Sequence, residues 1–148
     1  MPIDPLFLPN LETWETNLGE ESFVTISVLY ALLESWRQED TIMLFVSKEG
    51  PPSISGIPGW SVIYANNRVI NYFGYTTEEW FNNSIPVTFV NEDDIEVVVE
   101  SIMSRSSLPY NVRLRKKAEV GLGAWFEVRN VYADILQTKY RIGILRKK

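Results

Sequence analysis

Residues 61–80 read Ser61-Val-Ile-Tyr-Ala-Asn-Asn-Arg-Val-Ile-Asn-Tyr-Phe-Gly-Tyr-Thr-Thr-Glu-Glu-Trp80, and the fold is read outward from them. Trp60 to Ala65 is rich in aromatic and β-branched side chains, which suit a strand, and Asn66 and Asn67 close it with residues that favour turns. Arg68 to Phe73 has the length of one short helix, stopped by Gly74, which tolerates the left-handed conformation a helix C-terminus needs. Thr76 or Thr77 followed by Glu78 and Glu79 is a helix start. A hydroxyl can accept from the free N–H groups there, and carboxylates meet the positive end of the helix dipole.

Upstream, Thr41 to Ser47 predicts a strand, broken by Glu49-Gly-Pro-Pro52 and followed by a loop to Gly59. Downstream, Asn91 before Glu92, Asp93 and Asp94 opens a helix through about Ser104, with Ile95, Val98, Val99 and Ile102 on one face. Three strands complete the chain, over about 109–117, 124–133 and 139–146, the first two joined by a turn containing Gly121 and Gly123. At the other end a Pro- and Asn-rich arm runs to about Gly19. A helix follows over about 21–38, with Ser22 as a cap, Glu20 and Glu21 at its start and Arg37 near its end. It carries two apolar stripes: Ile26, Leu29, Tyr30, Leu33 and Trp36 or Arg37, and Val24, Val28 and Leu32. Two stripes need two buried surfaces, and a partner subunit can supply the second. The expected class is α+β: a five-stranded antiparallel sheet with short flanking helices and an N-terminal amphipathic helix.

Composition narrows the chemistry. The 148 residues suit one domain plus an appendage, and 45% apolar residues are enough for a packed core. There is no Cys and no His. Disulfides, thiolate nucleophiles, Ser-His and Cys-His pairs, zinc sites built from these residues and histidine-held haem are therefore absent from this chain. A net charge of −5 makes nucleic acid a poor partner. No apolar run approaches the roughly 20 residues that span a bilayer, and Met1 to Asn10 carries no Lys or Arg. The expectation is a cytoplasmic protein.

This order of elements, with these residues at the joints, resembles the PAS family. Ser61-Val-Ile-Tyr-Ala-Asn-Asn running into Phe73-Gly-Tyr-Thr-Thr-Glu-Glu-Trp is similar to the family's "IxYxN…GYsxEE" core. Val90-Asn-Glu-Asp-Asp resembles its "hP-D-D" helix start. Tyr110-Asn-Val-Arg-Leu-Arg, Trp125-Phe-Glu-Val-Arg and Ile142-Gly-Ile resemble its closing strands. The similarity covers about residues 40–146, so residues 1–39 divide off as arm and dimerisation or coupling helix and 40–148 as the PAS domain. Two departures stand out. The family's "K-D-G" turn is replaced by the longer Ala118-Glu-Val-Gly-Leu-Gly, and the chain ends Leu145-Arg-Lys-Lys where many relatives continue into an output helix.

The resemblance implies a sensory or regulatory module with a small cavity under the sheet, signalling through ligand binding, homodimerisation through helix 21–38, or both, with any output domain outside this chain. The LOV and photoactive-yellow-protein types require a cysteine and are excluded by composition. What remains is a noncovalent small organic ligand or a filled core. Matching positions and strand alternation place Ala65, Val69, Phe73, Leu114, Phe126, Val128 and Leu145 around the cavity. Core packing is the more ordinary account of the same residues. The resemblance further implies that Glu79 pairs with a basic residue of the third strand, Lys117 being the choice. Glu92, Asp93, Asp94 and Glu96 are accounted for by capping and dipole compensation, without a metal. A ligand-free interaction domain and a small α+β enzyme on a hydrophobic substrate are the alternatives, and no spacing nominates a catalytic dyad for the latter.

Overall fold

The structure, a computed structural model, describes residues 23–34, 43–52, 58–82, 85 and 87–148. Five strands form one antiparallel sheet: β1 (Met43–Pro52), β2 (Pro58–Ala65), β3 (Tyr110–Leu114), β4 (Ala124–Ile135) and β5 (Thr138–Lys147), in the order β2-β1-β5-β4-β3. The strands nearest in sequence to each end of the domain, β1 and β5, meet at the centre, from Met43↔Leu145 to Lys48↔Tyr140. Helices α1 (Phe23–Glu34), α2 (Asn67–Phe73), α3 (Thr77–Phe81) and α4 (Ile95–Met103) flank it, with 3-10 turns at Val87–Phe89 and Glu92–Asp94.

Strand alternation sorts the side chains onto two faces. On the outer face Leu44, Val46, Tyr140, Ile142 and Ile144 pack together with Leu29 and Leu33 of α1. On the inner face Met43, Leu145, Phe126, Val128, Val112 and Leu114 meet the aromatics of α2 and α3. A bulge in β2 keeps both layers apolar. Val46 pairs with Tyr64 and Ser47 with Val62, so Ile63 is the extra residue, and Ile63 and Tyr64 both join the outer cluster.

Several expected boundaries move, each for a physical reason. Strand β1 runs on through Gly50, Pro51 and Pro52, where a loop was expected. Beyond Lys48 it pairs with β2 alone, and proline's missing N–H costs little on a strand with one neighbour. Strand β3 stops at Leu114, short of Lys117, because the chain turns toward the helices: Arg115 N donates to Phe89 O at 2.8 Å and Lys117 N to Phe73 O at 2.8 Å. Residues 115–123 form the enlarged loop that the missing "K-D-G" turn implied. Strands β4 and β5 are longer than expected and meet at Leu136-Gln137, whose φ values of 48° and 69° make a tight hairpin without the usual Asn-Gly signature.

Helix α1 lies against the sheet with Thr25, Leu29 and Leu33 buried, a spacing of four residues that keeps one face inward. Val24 and Val28 are exposed, and Leu32 is half-buried. Leu29 therefore belongs to the chain's own core and is not available to a partner. The side chains of Ile26 and Tyr30, and residues 1–22 and 35–42, lie outside the described residues.

Candidate functional site

Between the inner face of the sheet and the helices lies a cavity of about 410 Å³. Its helical wall is built from local capping. Asn66 Oδ1 accepts from Val69 N at 3.1 Å to start α2, and Gly74, at φ 81°, ends it with its N–H on Ile70 O. Thr76 and Glu79 form a reciprocal capping box at the start of α3. These caps fix the helix axes so that Val69, Phe73 and Trp80 face the cavity. Phe89 joins them edge-on, 5.0 Å from Phe73 and 5.7 Å from Trp80, centroid to centroid. Val98 and Ile102 of α4 close the far side.

Three ion pairs hold these elements to β3 and the loop that follows it. Glu79 Oε1 accepts from Lys117 Nζ at 3.0 Å, the pair the resemblance implied, although Lys117 lies past the end of β3. The backbone N–H of Thr76, followed by Lys117, lowers the Glu79 pKa. Asp94, buried, accepts from Arg113 Nε, Nη2 and backbone N at 2.8 to 3.0 Å, which anchors the start of α4 to β3. Glu92 takes Arg115 at 3.1 Å. Within the acidic stretch 92–96, Glu92 and Asp94 thus serve as arginine partners; the cap bond comes from Asn91, whose Oδ1 accepts from Asp93 N, while Asp94, the N-cap residue of α4, makes no side-chain cap bond.

Of the seven residues expected around a ligand, Val69, Phe73, Leu114, Val128 and Leu145 line the cavity. Ala65 and Phe126 are buried in the same cluster but do not reach its surface. Ala65 stands across from Phe45, whose larger ring takes the wall position, and Phe126 sits behind Phe73 at 5.5 Å.

Sequence reading missed the polar end. Ser47, Trp60, Tyr110, Asn130 and Arg141 also line the cavity. Arg141 faces Ser47 on β1 and Tyr132 on β4 across the sheet, and its guanidinium lies 5.0 Å from the Trp60 ring and 5.7 Å from Phe45. Burial pushes its pKa down from the usual arginine value, opposed by Tyr110 and Tyr132. Burial likewise raises both tyrosines. Strict alternation along Tyr140-Arg-Ile-Gly-Ile-Leu145, with isoleucines outward, was the signal that could have turned Arg141 inward.

No family model matches the sequence, and no curated protein matches it. Solved structures do. A PAS domain from a two-component sensor histidine kinase superposes with a TM-score of 0.57 at 12% identity, covering 83% of this chain and 99% of that one. The chain has the PAS fold. A LOV domain of a fungal photoreceptor matches with a TM-score of 0.57 at 16% identity, over 88% of this chain and 97% of its own. A PAS domain from Desulfitobacterium hafniense gives 0.51 at 16% identity, over 77% and 99%. The PAS fold accounts for the sheet order and for a cavity on the inner face of the sheet. At these identities the likeness is one of fold, and the chemistry must come from this chain's own residues.

Proposed function

We propose that this chain is a sensory module of a signalling protein, which binds a small organic molecule noncovalently in the inner cavity and passes occupancy to its N-terminal helix. The observation that carries the reading is the cavity itself: room of ligand size, inside an otherwise packed domain, with polar atoms at one end that have no protein partner. The route outward is short. Phe45, Ser47 and Arg141 face the cavity from β1 and β5, and the residues alternating with them, Leu44, Val46 and Ile142, pack with Leu29 and Leu33 of α1. A catalytic reading gains little support, since among the described residues the cavity wall holds no carboxylate and burial raises the pKa of its tyrosine, Tyr110.

Native mass spectrometry of freshly purified protein, compared with the denatured mass, tests this. A reproducible extra mass that disappears on denaturation is expected. A clean apo mass from several preparations removes the ligand from the reading.

Dimerisation through α1 is a second part of the same reading, favoured by Val24 and Val28, 56% and 37% exposed beside the buried face. Val28→Glu should reduce the mass seen by light scattering without loss of fold. An unchanged mass, or a wild-type monomer, counts against the interface. Among the described residues no helix is long and apolar enough to cross a membrane.

A further inference from the structure

We propose that the cavity's ligand is an organic monoanion, a carboxylic acid with an apolar body, whose carboxylate is received by Arg141. This rests on the cavity-binding reading above and goes beyond it to the ligand's chemistry.

Three cavity-lining residues carry a potential donor without a partner, Arg141 Nε, Trp60 Nε1 and Ser47 Oγ, and a fourth such donor, Tyr132 OH, stands beside Arg141 outside the lining. Each of these atoms is sealed from solvent within the chain. They are also neighbours. Ser47, Arg141 and Tyr132 form one row across β1, β5 and β4, and Trp60 lies over the Arg141 guanidinium and 6.3 Å from Tyr132. A buried donor left unmade is destabilising, the more so when charged, so this cluster is a standing cost unless something accepts from it. A carboxylate accepts and cannot donate, which matches this set. Two acceptors nearby are unmatched as well: Glu49 Oε2, in register with Trp60 and 3.6 Å from Arg105 without a hydrogen bond, and Asn130 Oδ1, whose Nδ2 donates to Tyr110 OH at 3.4 Å and which suits a hydroxyl or N–H on the same ligand.

Charge points the same way. Among the described residues Arg141 has no ion pair, whereas Arg105, Arg113 and Arg115 each have a carboxylate. Glu49, the acid nearest along β1, is given to Arg105 at 3.6 Å. A lone guanidinium, desolvated against Trp60 and Phe45, is matched by one negative charge. A phosphate dianion would bring more charge than this site neutralises. Beyond the polar end the wall turns apolar, with Val62, Val69, Phe73 and Val98 receiving the ligand's body, apart from Trp80 Nε1, a further buried donor without a partner.

The test titrates octanoate and 3-phenylpropionate, each beside its primary amide, into the full chain, following the Trp60 indole N–H and Arg141 Nε–H signals by NMR. At least one acid is expected to shift both signals and to bind about tenfold or more tightly than its amide. Arg141→Met should bring acid and amide to near-equal affinity, and Arg141→Lys, which keeps the charge, should retain most of the preference. Thermal denaturation separates this from a structural role: ligand-free Arg141→Met should melt no lower than wild type, because a buried charge without a partner is removed. A lower melting point assigns Arg141 to the fold. Amides that bind as tightly as the acids overturn the carboxylate and leave the cavity reading standing. Binding by neither, with a clean apo mass, overturns both.

Discussion

Asp94 shows how one residue fixes both a helix and its distance from the sheet. Its carboxylate receives the Arg113 side chain and backbone N–H, and Arg113, first among the causes, holds its pKa below the ordinary aspartate value. The folded state therefore keeps Asp94 ionised at pH values where the unfolded chain, titrating near about 3.9, takes up a proton. The stability this supplies is present above that unfolded value and is lost as pH falls through the lower folded value. Asp94→Asn should lower the urea midpoint at neutral pH and flatten the acid limb of the stability curve, a profile that equilibrium unfolding between about pH 3 and 7 reads directly. Glu79 and Lys117 are a contrasting case at the surface. Lys117→Ala should leave the urea midpoint nearly unchanged, because exposed pairs contribute little.

At the scale of elements, the β4–β5 hairpin is closed by two residues in a left-handed conformation that neither favours. Gln137→Gly should stabilise the fold by about 1 kcal/mol, measured as a higher denaturation midpoint, since glycine carries no Cβ to clash there. The opposite holds inside β5, where a Cβ on Gly143 would stand 2.2 Å from the Phe45 ring. Gly143→Ala should cost about 1 to 3 kcal/mol and push Phe45 into the cavity, so that any retained mass in native spectra falls together with stability. Helix α1 is held to the sheet by Leu29 and Leu33. Leu33→Ala should cost about 2 to 5 kcal/mol, while Val28→Glu on the exposed side should leave stability near wild type.

The whole molecule is a sheet with two differently used faces. The outer face is closed by α1 and the inner face is held partly open by α2, α3, α4 and the 3-10 turns between them, with the aromatic contacts of Phe73, Trp80 and Phe89 keeping the wall from collapsing onto the strands. Val112→Phe, which adds volume in the middle of the cavity wall, should therefore preserve or slightly raise the melting temperature while removing the bound mass. Loss of both would mean that the inner face packs as an ordinary core, with no space held in reserve.

Much of this was legible before any coordinate. The caps at Thr76 and Asn91 act within three residues of themselves and were legible as helix starts, whereas Asn66, read as a turn residue, caps α2; the alternating strands with the resemblance placed five of the cavity's residues on its wall. The Leu136-Gln137 hairpin and the Gly-Pro-Pro extension of β1 escaped because their local residue types argue against them, and only pairing to a neighbouring strand overrides that preference. Leu29 and Val28, one residue apart on the same helix, could not be told apart as core and surface until the sheet supplied a face. Arg141 is the sharpest instance. Its meaning comes from Ser47, Trp60 and Tyr110, far from it along the chain, and from Tyr132 across the hairpin, because hydrogen bonding and charge burial are properties of what surrounds a group in space and sequence neighbours do not reveal them.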